Sequence, residues 1–191
     1  NAALFFNYGR TSPNGAGFNF YINAPVDLAD ASTFTTQKGA SGSIVTYEIV
    51  RNAYNLQWML KNNKDGNFVQ GTVIWAGPAT NTSGGTLWNG GLGFDPIDTF
   101  TGYYHGLGNK IYGLTIRRPN EDRVGLFGKT NNATIINVGI VNAAGNPIVG
   151  KKKVGGLVGE ALGTTSITGS FSTANVSGEH DLGGLVGQLN G

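Results

Sequence analysis

Apolar residues in this chain come in short runs separated by Gly, Asn and Thr, and one run keeps returning. Val154-Gly155-Gly156-Leu157-Val158-Gly159 recurs as Leu182-Gly183-Gly184-Leu185-Val186-Gly187, and in shorter form as Val124-Gly125-Leu126-Phe127-Gly128. Val154 to Leu182 is 28 positions and Val124 to Val154 is 30. A near-constant period of that size marks a solenoid, because a unit of about 30 residues cannot bury its own apolar face but stacked units can. The expected columns are Leu126, Leu157 and Leu185 in one, and Phe127, Val158 and Val186 in the next. Gly125, Gly128, Gly155, Gly156, Gly159, Gly183, Gly184 and Gly187 are expected to serve tight corners of positive φ and close backbone approach. A hairpin sandwich leaves the fixed spacing unexplained, and propeller repeats run to about 40–50 residues. The fold class expected is all-β, a parallel β-helix.

Taken in order, residues 1–46 carry looser strands: Leu4-Phe5-Phe6, Phe18 to Asn23, Thr33-Phe34-Thr35 and Ser43 to Thr46, with Pro13-Asn14-Gly15 as a turn. Residues 47–99 break the style. Ile49, Ala53, Leu56 and Leu60 fall at steps of 4, 3 and 4, a helical stripe, so a short helix is expected at about 50–61. Phe68-Val69 and Thr72 to Trp75 return to strand. Residues 77–93 are rich in Gly, Asn and Thr and are expected to protrude as a loop. From Phe100 to Gly191 the coils are regular. The expected strands there include Phe100–His105, Ile111–Ile116, Ile135–Ile140 and Ser166–Phe171. A repeat thus reads as the Gly-Leu-Val-Gly strand, a turn, a second strand and another turn. The whole of 1–191 is expected to be one β-helical segment of a longer protein, since Gly191 follows a complete repeat with no cap.

Composition narrows the function classes. The 32 glycines among 191 residues follow no Gly-X-Y period, which excludes collagen, and 39% hydrophobic residues argue against disorder. Charged residues are only 13% with a net charge of +2, too little for an electrostatic nucleic-acid binder. Lys151-Lys152-Lys153 reads as a solvated turn. The chain has no cysteine, which removes disulfides, thiolate metal sites and cysteine nucleophiles. No apolar run approaches the roughly 18 residues that span a bilayer, so membrane insertion is not expected.

The recurring Gly-Leu-aliphatic-Gly core resembles the GLUG motif. The preceding Phe94-Asp95-Pro96-Ile97, His105 to Ile111, Leu114-Thr115-Ile116 and Val124 to Gly128 resemble the segment that leads into GLUG repeats. Such segments occur in large bacterial surface proteins, many of them filamentous-haemagglutinin-like adhesins of the two-partner secretion route. The resemblance covers about residues 45–191 and, more loosely, Tyr21 to Val26. It implies a right-handed parallel β-helix, exported to the cell surface, that mediates attachment. The implied partners are a host-cell or matrix receptor or glycan and the rest of the parent chain, by coil stacking.

Candidate chemistry is sparse. Trp88 in the 77–93 loop, Tyr103, Tyr104 and Arg117, with Trp75 and Arg118 nearby in sequence, offer aromatic and cationic surface for a glycan. Asn81, Asn132 and Asn175 begin glycosylation sequons near predicted turns. Asp95 and Asp98, with His105, would be the acids and base of the alternative reading, a carbohydrate-active β-helix enzyme. Their ordinary role is turn hydrogen bonding. Glu179-His180-Asp181 gives no metal site, because adjacent strand residues point to opposite sides. No catalytic residue, cofactor or metal is assigned, and an enzyme is not expected. A third reading is a self-assembling filament subunit, since an open solenoid end invites stacking.

Overall fold

The computed structural model describes residues 2–8, 24–28, 31–39, 41–143 and 145–190. The turn at Pro13-Asn14-Gly15 and the strand expected at Phe18–Asn23 lie outside the described residues. The entry strands are β1 (Ala2–Tyr8), β2 (Ala31–Lys38) and β3 (Ile44–Val50). The β2–β3 pair is antiparallel; every other strand pairing between named strands is parallel.

Helix α1 (Ala53–Asn62) is inserted between β3 and β4 (Asn67–Gln70). It starts later than residue 50 because Val50 still belongs to β3 and is fully buried. The Asn52 side chain caps it by accepting a hydrogen bond from the Asn55 amide at 2.8 Å. Ala53, Leu56 and Leu60 form the buried stripe, and Lys61 lies in the last turn, where a cation suits the helix dipole. Of the predicted stripe, only Ile49 belongs to a strand instead.

The coils follow: β5 (Ile74–Trp75), β6 (Tyr103–His105), β7 (Lys110–Tyr112), β8 (Ile116–Arg117), β9 (Phe127–Asn131), β10 (Thr134–Ile136), β11 (Gly139–Val141), β12 (Ile148–Val149), β13 (Lys152–Gly155), β14 (Val158–Leu162), β15 (Ser166–Thr168), β16 (Phe171–Ser172), β17 (Val176–Ser177), β18 (His180–Gly183) and β19 (Val186–Asn190). They stack into ladders β3-β4-β6-β10-β15, β5-β7-β11-β16, β8-β12-β17, β13-β18 and β9-β14-β19. One coil, from β9 to β13, therefore has five short sides. This is the parallel β-helix expected, with more corners. Ile111–Ile116, Ile135–Ile140 and Ser166–Phe171 are not single strands. Each is broken in the middle, and Gly113 (φ 71°), Asn137 (φ 53°) and Gly169 (φ 61°) turn left-handed there.

The interior is a set of columns. Phe68, Tyr104, Ile135 and Ile167 align in register, as do Ile74, Ile111 and Ile140, and Ile116, Ile148 and Val176. Phe127, Val158 and Val186 align as expected. Leu126 and Leu157 are fully buried, and Leu185 packs on them from the last coil. Each such side chain stabilises the stack by about 1.5–3 kcal/mol relative to exposure.

The motif glycines work by closeness, Gly184 excepted, where an added Cβ would meet nothing within 4 Å. None of the eight has a positive φ. A Cβ on Gly155 would sit 2.1 Å from the Val158 carbonyl oxygen, and one on Gly183 only 1.8 Å from that of Val186. The left-handed corner falls one residue before the motif, on Arg123, Lys153 and Asp181 (φ 63°, 54° and 57°). The residues after them, Val124, Val154 and Leu182, are ladder partners, so three non-glycine left-handed residues stand above one another. Each costs about 1–2 kcal/mol of backbone strain, held by the ladder bonds around it.

Residues 77–93 leave the coil outline but are tied down. They contain a short helix, α2 (Gly77–Thr80), and a 3-10 turn at Asn89–Gly91. Leu87 is buried, and its amide bonds to the Ala79 carbonyl at 3.0 Å. The exposed tip is Thr82, Ser83 and Gly84.

Candidate functional site

The sequence candidates do not converge. Tyr104 is fully buried in the Phe68–Ile135 column, so it offers no surface to a glycan. Burial pushes its phenol well above the usual tyrosine range. Tyr103, its neighbour on β6, points the other way and packs edge-on to Tyr47 at 5.6 Å, in a second small core with Phe34 and Leu107. Trp88 is half-buried and lies over Gly91. Arg117 is engaged within the fold: its guanidinium donates to Asn81 Oδ1 at 2.7 Å and to the Gly145 carbonyl at 3.3 Å.

The sequons behave differently from one another. Asn81 both accepts from Arg117 and donates through Nδ2 to the Gly145 carbonyl at 3.2 Å. Asn132, left-handed at φ 54°, accepts from the Thr164 amide at 2.9 Å and its hydroxyl at 3.0 Å, bridging adjacent coils. Asn175 is exposed.

Charge is concentrated where α1 meets the coil. Asp95 pairs with Lys61 and, at 3.4 Å, with Arg118. Arg118 also holds Glu121 at 2.9 Å and donates to the Phe94 carbonyl. The Asp95 amide donates to Gln57 on α1. These bonds fasten the helix to the shaft. Beside them Asp95, Asp98, Glu121, Asp122 and Arg123 line an open groove of about 270 Å³. His105 does not line it. It is buried on β6, accepts the Leu107 amide at Nδ1, and has its pKa lowered to about 4 by burial. The three members of the suggested acid–base set are thus split between a groove and the interior. Among the described residues no three His, Asp or Glu side chains gather as a metal site, and no helix is long and apolar enough to cross a membrane.

The aromatic groups that do face solvent are others. Trp75 is 68% exposed and stacks on Tyr112, with ring centroids 4.6 Å apart and planes 19° apart. Tyr54 and Trp58 are exposed on α1. The signal for Trp75 lay in strand alternation: Ile74 points inward, so Trp75 points out.

Fold and surface together define a β-solenoid repeat protein with few charges and a clustered aromatic surface. Over 115 residues, 58% of this chain, it is 46% identical to "Halomucin" of Haloquadratum walsbyi (strain DSM 16790 / HBSQ001). The chain spans about 1% of the length of that relative. No family model matches the chain, and no solved structure matches it.

Proposed function

We propose that this chain is a β-helical shaft segment of a large exported surface protein, and that it contributes to attachment. The observation that carries the reading is the continuous parallel stack, in which each coil covers the last and outward positions are left free for display. A shaft of this kind extends by adding coils without a new core. The likeness to a short stretch of a far longer protein supports the same reading. The GLUG-type repeat and the two-partner secretion route belong to this proposal. So do a receptor or glycan as partner and stacking on further coils of the parent chain.

The test uses antibodies against the chain on intact and permeabilised source cells, followed by attachment of the cells in the presence of soluble chain. Labelling of intact cells and competition by the soluble chain are expected. Labelling only after permeabilisation would overturn the surface reading, and attachment unaffected by excess chain would overturn the adhesive one.

A further inference from the structure

Two exposed aromatics, Tyr54 and Trp75, line a groove between the start of α1 and the β5–α2 corner. It holds about 440 Å³ and is lined by Asn52, Tyr54, Trp75, Pro78 and Thr86, with the backbone around Gly84 and Gly85 closing one side. None of the residues lining it carries a charge. We propose that this groove binds a neutral pyranose unit of an oligosaccharide, stacked on Trp75.

The chemistry of the walls selects that ligand. Tyr112 covers one face of the Trp75 indole and fixes its plane; with 68% of the residue exposed, the other face is open. A sugar ring presents a flat face of C–H groups to such a surface and keeps its hydroxyls at the rim. The rim here is polar and uncharged. Asn52 is exposed and uses its Oδ1 to cap α1, so the group it has to offer a ligand is its Nδ2 donor. The Thr86 hydroxyl is exposed. A few placed polar groups around an apolar platform are how small ligands are oriented. Nucleic acid would require Lys or Arg at the groove to meet its phosphates, and none is there.

The indole is held in advance, so little order is lost on binding. Trp75 and Tyr112 are ladder partners on β5 and β7, and the inward neighbours Ile74 and Ile111 are fully or nearly fully buried. The platform is therefore built on the shaft itself. Trp58 lies one helical turn beyond Tyr54 and is 55% exposed. It extends the aromatic strip along the same helix face and gives room for a second sugar unit.

The proposal deepens the reading of the chain as an attachment module and rests on it. The test is calorimetric titration of the purified chain with maltohexaose, cellohexaose, mannohexaose and N-acetylchitohexaose, with hexagalacturonate as the charged comparison. Binding of at least one neutral hexaose is expected at millimolar affinity or tighter, with Trp75→Ala weakening it about tenfold or more. Trp75→Phe should restore part of the loss, and Trp88→Ala should leave binding unchanged. Because Trp75 is mostly exposed, the variants are expected to keep the wild-type melting temperature and circular dichroism. No binding of any neutral hexaose at about 10 mM would overturn the proposal. So would unaltered binding by Trp75→Ala, or equal affinity for hexagalacturonate. Absent sugar binding with intact-cell labelling refutes the groove alone. Sugar binding by a chain reached only after permeabilisation refutes the surface reading alone.

Discussion

Leu157 offers a direct measure of what one buried rung contributes. It is fully buried between Leu126 below and Leu185 above, and its backbone is held on both sides: its amide bonds to the Leu185 carbonyl at 2.9 Å, and its carbonyl accepts from the Phe127 amide at 2.8 Å. Leu157→Ala removes three carbons, about 2.4 kcal/mol at 0.8 kcal/mol each. The cavity term adds to this, because the ladder prevents the neighbouring coils from closing the gap. A cost of about 3–4 kcal/mol is expected, in the middle of the range for buried leucines. Leu185→Ala in the last coil removes the same atoms from a half-buried site and should cost about 1–1.5 kcal/mol. Urea denaturation gives the totals. Amide hydrogen exchange at Phe127 and Val158 shows whether the loss is local, as a one-dimensional stack requires. Equal costs for the two variants, or a Leu157→Ala cost below about 1 kcal/mol, would refute the inward column. Leu157→Asp, which buries a carboxylate between leucines, is expected to unfold the adjacent coils.

The paired glycines of the last motif should separate cleanly. Gly183→Ala drives a Cβ into the Val186 carbonyl and should cost more than about 2 kcal/mol, whereas Gly184→Ala meets nothing within 4 Å and should stay within about 0.5 kcal/mol, both read by thermal melting. His105, with its pKa lowered to about 4 from 6.5, is neutral when folded and takes up a proton on unfolding. Its contribution is therefore complete above pH 6.5, falls as pH drops towards 4 and levels off below, by at most about 3.4 kcal/mol. His105→Asn should flatten that part of the pH–stability profile, and an unchanged profile would sink the assignment. Lys153→Met leaves the buried Glu160 carboxylate with Arg123 at 3.7 Å and Asn190 at 3.2 Å, in place of Lys153 at 2.5 Å. A loss of about 2 kcal/mol is expected, most of it recovered in Lys153→Met with Glu160→Leu, as measured by denaturant titration.

The columns were legible because identical residues recur at one spacing, and that spacing has no use except stacking. The corners were not. Arg123 and Lys153 turn left-handed, a conformation that long charged residues seldom adopt, so nothing in their identity marks them; only Asp181, of a type enriched there, carries a weak signal. Asn137 and Gly169 do carry a turn signal, yet the flanking Ile136 and Val138, and Thr168 and Ser170, read smoothly as one strand. The Tyr103-Tyr104 pair held a usable clue: adjacent strand residues face opposite ways, so one of the two had to be interior. Deciding which needed the register with Phe68 and Ile135. Trp88 drew attention because it sits among turn residues, while Trp75, at the end of an apolar run, is the one the fold leaves open.

The ladders also fix how such a shaft yields to force. The bonds between coils run along the stacking axis, so a pull on the ends loads them one rung at a time. Phe127 to Val158 is 31 positions and Val158 to Val186 is 28, each a single step of the stack. That step is about 4.8 Å, while the freed chain of one coil reaches about 100 Å. A tethered shaft of this type lengthens some twentyfold per coil released. It therefore releases slack in discrete lengths, and the coils still stacked keep their core dry.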